Sequence, residues 1–152
     1  MQKRLLLIAV IVGISLLFIT AGIYAGTNVP DVIKMENKAY KKHKKSIMTF
    51  SHKKHIEEYK AGCGECHHDD KGKPLNNLKM GDNVQNCIEC HKKPGERPKG
   101  KGKPKLSKKK RLDYHAEAIH YNCKDCHKKF NKKNKTKKAP TTCTKCHPKK
   151  KK

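Results

Sequence analysis

The chain has 152 residues and a formal net charge of +25. Beyond residue 26 only 14 of 126 residues are Leu, Ile, Val or Phe, and 36 basic residues face 13 acidic ones. That composition excludes an ordinary domain built on an apolar side-chain core and is the composition of a disordered chain, unless something else staples it.

Residues 1–26 differ from the rest. Lys3 and Arg4 precede an almost uninterrupted apolar run from Leu5 to Ala25. A basic start before an apolar stretch is expected to be an export signal or an N-terminal membrane anchor. Ala25 could precede a cleavage site, but Ile23 is not small, so that site is weak. Either way, residues 27–152 are expected outside the cytoplasm, with Lys3 and Arg4 inside.

The second segment opens with 30–35, an expected short extended piece. The lysine-rich stretch 38–45 follows and is expected to be helical. Phe50-Ser51 leads into His52 and His55, which lie three apart and so project from one side of a helical turn. That helix is expected to continue through Lys60. Asp69 to Pro74 is a turn by composition. Residues 92–111 set three prolines and three glycines among lysines and read as a surface loop or linker. Residues 112–121 show helical spacing and carry His115 and His120. Further lysines occupy 128–138 and 149–152.

One unit repeats four times along this path and takes up all eight cysteines. It reads Cys63-Gly-Glu-Cys66-His67, Cys87-Ile-Glu-Cys90-His91, Cys123-Lys-Asp-Cys126-His127 and Cys143-Thr-Lys-Cys146-His147. C-x-x-C-H is the attachment signature of a c-type haem. Two thiols on one helical turn can reach the two vinyl groups of one porphyrin, and the adjoining imidazole then points at the iron. Zinc is the competitor, because C-x-x-C pairs 15–20 residues apart form ribbons. A ribbon does not require the following histidine, and four chance placements have a probability on the order of 10⁻⁵. Four covalently attached haem c groups are therefore expected, forming the core of a small, mostly α and irregular multihaem cytochrome. The unequal spacing of the units argues against a solenoid and for one domain over 27–152.

Six histidines remain: His43, His52, His55, His68, His115 and His120. Four distal ligands can be drawn from them with two left over. His68 adjoins an iron ligand and is too constrained to bind the same iron, so it would point to a neighbouring haem. His115 and His120 compete for one role. His43, inside a lysine run, is expected to be solvated. Met35, Met48 and Met80 read as packing residues. A second strong ligand on each iron leaves electron transfer as the main chemistry, whereas an open iron would mean a multihaem reductase.

Phe50-Ser51-His52-Lys53-Lys54-His55 followed by Cys63-Gly64-Glu65-Cys66-His67-His68 resembles the class III c-type cytochromes, the tetrahaem proteins best known from sulfate-reducing bacteria. The likeness spans about residues 30–147. It implies that the first haem takes His67 and His52, and the second His91 and His68. It implies His127 and His55 for the third, and His147 with His120 for the fourth, His115 being the lesser choice. It also implies low potentials, and as partners a hydrogenase, a formate dehydrogenase or membrane-bound electron-transfer complexes. Stretch 92–111 matches no motif of that family.

With eight propionates and four ferric charges added, the oxidised domain would still carry about +19, a field that raises encounter rates with acidic partners. Anionic lipid headgroups are a further target. Arginine, the usual base-reading residue, occurs only at Arg4, Arg97 and Arg111, so no specific nucleic-acid binding is expected.

Overall fold

A computed structural model describes residues 29–149. The expected leader at 1–26 and the lysines 150–152 lie outside the described residues.

The chain enters through a two-stranded antiparallel ribbon. Strand β1 (Val32–Lys34) pairs with β2 (Thr49–Ser51) in the register Val32↔Ser51, Ile33↔Phe50 and Lys34↔Thr49. The expected extended piece at 30–35 thus contains β1. The lysine-rich stretch 38–45 is irregular, not helical. Like charges along a helix face repel, and the Asn37 side chain accepts from Ala39 N–H at 2.9 Å, which favours a turn.

Helix α1 (His52–Glu57) follows β2 without a loop. It stops short of Lys60, which sits at φ 54, outside the helical region. After a single 3₁₀ turn at Cys63–Glu65, the Asp69 carboxylate accepts from the N–H groups of Lys71 and Lys73 at 3.0 and 2.7 Å. That Asx-type turn reverses the chain, so that Leu75 N–H returns to His67 C=O at 3.0 Å.

Helix α2 (Cys87–Cys90) starts at Asn86, whose N–H donates to the Glu89 carboxylate at 3.2 Å. Helix α3 (Lys108–Leu112) begins at Ser107, whose hydroxyl accepts from Lys110 N–H at 3.3 Å. It occupies the end of what reads in sequence as a loop. Helix α4 (His115–Lys133) is the longest element among the described residues and contains the third C-x-x-C-H unit. Helix α5 (Cys143–Cys146) carries the fourth.

Tyr114, at the N-cap of α4, offers no side-chain cap. The loop supplies the missing acceptors: His115 N–H donates to Lys93 C=O at 2.8 Å and Ala116 N–H to Gly95 C=O at 3.1 Å. Gly95 sits at φ 84, a conformation that costs little only for glycine. Segment 93–95 is therefore tied to α4 and is not a free linker.

Among the described residues only Ala118 and His115 are buried, and no side chain is fully enclosed. Val32, Tyr59, Met80, Val84, Tyr121 and Phe130 are exposed. The described residues by themselves make no apolar core.

Candidate haem sites

Each attachment unit lies on a turn of helix. His67 N–H donates to Cys63 C=O at 2.8 Å, His91 N–H to Cys87 C=O at 2.8 Å, and His147 N–H to Cys143 C=O at 2.7 Å. The third unit gets the same geometry from the body of α4. The two thiols of each unit, three residues apart, consequently project from one side. All eight cysteines are free. A Cβ at Gly64 would force the Asn76 side chain to turn aside and would lie 3.1 Å from Asn76 N, a tight approach.

Thiols of different units approach one another. The Cys66 residue is exposed overall, but crowding around its sulfur, and then the Cys126 thiol, push it up to about 11. Burial and then Cys66 push Cys123 to about 11 as well. Asn122 of α4 donates to Cys66 C=O at 3.1 Å, joining the first unit to the helix that carries the third.

Eight histidines meet in four pairs, each pairing a unit's histidine with one from elsewhere. The ring centroids of His52 and His67 are 6.5 Å apart, those of His68 and His91 5.9 Å, those of His55 and His127 6.2 Å, and those of His120 and His147 6.2 Å. The separation can be compared with what one iron between two imidazoles needs. Two metal–nitrogen bonds of about 2 Å, each followed by about 1.2 Å to the ring centre, give about 6.4 Å. The rings are spaced to share a metal and are too far apart to bond each other directly.

In five of the eight rings Nδ1 faces a backbone carbonyl, whereas the buried Nδ1 of His52 has no hydrogen-bond partner. A carbonyl can only accept, so a ring whose Nδ1 faces one carries its proton there and leaves the Nε2 lone pair free. His55 Nδ1–H donates to Ser51 C=O at 2.8 Å and His68 Nδ1–H to Asp69 C=O at 2.7 Å. His127 Nδ1–H donates to Pro140 C=O at 2.7 Å, His147 Nδ1–H to Ser46 C=O at 2.8 Å, and His91 Nδ1–H to Leu112 C=O. His120 Nδ1 faces the Glu96 carboxylate at 3.4 Å. Burial lowers the basicity of His67 and His120, favouring the neutral imidazole that a metal needs.

His115 and His43 stand apart from the pairs. Tyr40 OH is hydrogen-bonded to His115 Nδ1 at 2.8 Å. The His43 ring stacks on Tyr40 with centroids 4.8 Å apart and planes 6° apart. His43 is thus partly buried rather than solvated, and its Nε2 has no hydrogen-bond partner. A cavity of about 360 Å³ bounded by His43, Ser46, Cys143 and His147 adjoins the fourth unit. A second, of about 270 Å³, lies between α3 and α4 beside His120, Arg111 and Lys124.

Several supporting residues were not legible in the sequence. Five of the partners are backbone carbonyls, which leave no mark in residue type. Asn131 donates to Ala139 C=O at 2.9 Å and accepts from Ala139 N–H at 3.1 Å, fixing the carbonyl of Pro140 next door for His127. Glu96 did leave a signal, as the only acid in 92–111.

C-x-x-C-H turns whose cysteines form no disulfides, paired imidazoles at metal-spanning distance and the lack of an apolar core among the described residues together fit covalent haem. In agreement, the class III cytochrome C family profile matches residues 29–147, and the chain belongs to that family. Its members are multihaem c-type cytochromes with covalently bound haem c, generally electron carriers and typically periplasmic. Comparisons with curated proteins and with solved structures gave no match.

Proposed function

We propose that this protein is an exported, low-potential tetrahaem electron carrier whose four irons each hold two histidines. The ligand pairs are His67 with His52, His91 with His68, His127 with His55, and His147 with His120. Thioether bonds to the haems would form at Cys63 and Cys66, Cys87 and Cys90, Cys123 and Cys126, and Cys143 and Cys146. The observation that carries this reading is the set of four ring separations between 5.9 and 6.5 Å.

With two histidines held for each iron, the haems would supply storage and release of single electrons. The chain's own residues do the rest. Carbonyls at Nδ1 hold five of the eight rings in one tautomer and one orientation. The thiols converging around Cys66 and Cys123 bring attachment sites close together, which favours passage of electrons from one site to the next. The lysine surface draws acidic redox partners, such as a hydrogenase, a formate dehydrogenase or a membrane-bound complex. Among the described residues no helix is long and apolar enough to cross a membrane. Export, and any membrane association through residues 5–25, therefore rests on the apolar run in the sequence.

A reductase with one open iron is the competing reading. Paramagnetic resonance of the oxidised protein separates the two. Only low-spin ferric signals are expected, and a stoichiometric high-spin signal would overturn full bis-histidine ligation.

A further inference from the structure

Five of the eight paired histidines are oriented by a backbone carbonyl at Nδ1. His120 has a different partner. Its Nδ1 lies 3.4 Å from Glu96 Oε1, while Glu96 Oε2 takes the Lys99 ammonium at 2.9 Å. Lys99 is also 3.6 Å from Glu117 Oε1, and Arg97 Nε approaches that same oxygen at 3.6 Å. Glu117 sits one turn before His120 on α4, so the loop is held against the helix at this point. The ion pair with Lys99 holds the Glu96 carboxylate beside His120.

An anion at Nδ1 differs from a carbonyl in kind. At 3.4 Å it lies beyond hydrogen-bond reach of the ring and acts through its charge, and negative charge near the metal favours the ferric over the ferrous state.

We propose that the charge of Glu96 beside His120 sets the fourth haem's reduction potential lower than a neutral neighbour would, with Lys99 tempering the effect. This rests on the ligand pairs proposed above. The lysine-rich loop thereby acquires a role: it tunes one site out of four.

The test uses the full haem-loaded protein. Glu96→Gln keeps the shape and removes the charge, and Lys99→Met keeps the carboxylate and removes its counter-charge. Potentiometric titration at one pH, with paramagnetic resonance of the oxidised state, reads each haem. In Glu96→Gln, one potential of four is expected to rise by about tenfold in its one-electron equilibrium, about 59 mV, and one low-spin signal to change its g values. Lys99→Met is expected to move the same haem downward. If Glu96→Gln does not accumulate, Lys99→Met alone decides. No single-haem shift, or an equal shift of all four, overturns the proposal. Four low-spin signals in the unsubstituted protein with silent variants would remove only the role of Glu96. Absence of those four signals would remove the ligand pairs, and the role of Glu96 with them.

Discussion

His115 and His120 lie on the same helix, but their surroundings give them different work. His120 faces His147 across 6.2 Å, whereas His115 is buried and bonded to Tyr40 OH. His120→Ala is therefore expected to create one high-spin ferric haem, seen by paramagnetic resonance. His115→Phe should leave all four low-spin signals intact and instead lower stability by about 1–3 kcal/mol, because it strands a partly buried hydroxyl. Denaturant titration of the haem-loaded protein measures that loss. Asn131→Leu is expected to cost about 1–3 kcal/mol as well, through two lost hydrogen bonds to Ala139. It should also alter one low-spin signal, since Pro140 C=O would no longer be held for His127. Sequence narrowed the fourth distal ligand to two histidines. It could not rank them without the family likeness, because the distinction depends on Tyr40, 75 residues away from His115.

Helix α4 connects the candidate sites. It carries His120 and the third unit, reaches Cys66 through Asn122, and is capped by the segment that follows His91. Its N-terminal anchor depends on Gly95 at φ 84. Gly95→Ala is expected to destabilise the protein by about 1–2 kcal/mol. Hydrogen exchange should show faster turnover of the His115 and Ala116 amides, which the 93–95 segment caps. The four attachment turns, the paired histidines of α1 and the helical spacing near 112–121 were legible because each is a local pattern in residue type. The cap of α4 was not, because it is made from main-chain carbonyls of a loop that composition marks only as flexible. The irregular course of 38–45 was missed for a related reason: individual lysines favour helices, but their mutual repulsion and the Asn37 turn act against one here.

At the scale of the whole molecule, the described polypeptide buries almost nothing apolar, with Ala118 as its one buried hydrophobic residue. The covalent groups proposed here would supply the core that side chains do not. Protein made without haem attachment is accordingly expected to lack cooperative unfolding and to give a largely disordered circular dichroism spectrum. The lysine field has a separate consequence. Association with an acidic redox partner should slow by about tenfold or more between low and physiological ionic strength, as followed by stopped-flow electron transfer. A rate indifferent to salt would mean that the charge serves solubility alone.

The central claim is that four haem c groups, held by eight thioethers, make the fold and carry the electrons. Mass spectrometry of the mature protein under denaturing conditions addresses it most directly, because only covalent groups survive. The expected result is the mass of the polypeptide plus four haems, with no free thiol left to alkylate. A mass showing fewer than four, or thiols still open to alkylation, would contradict the account.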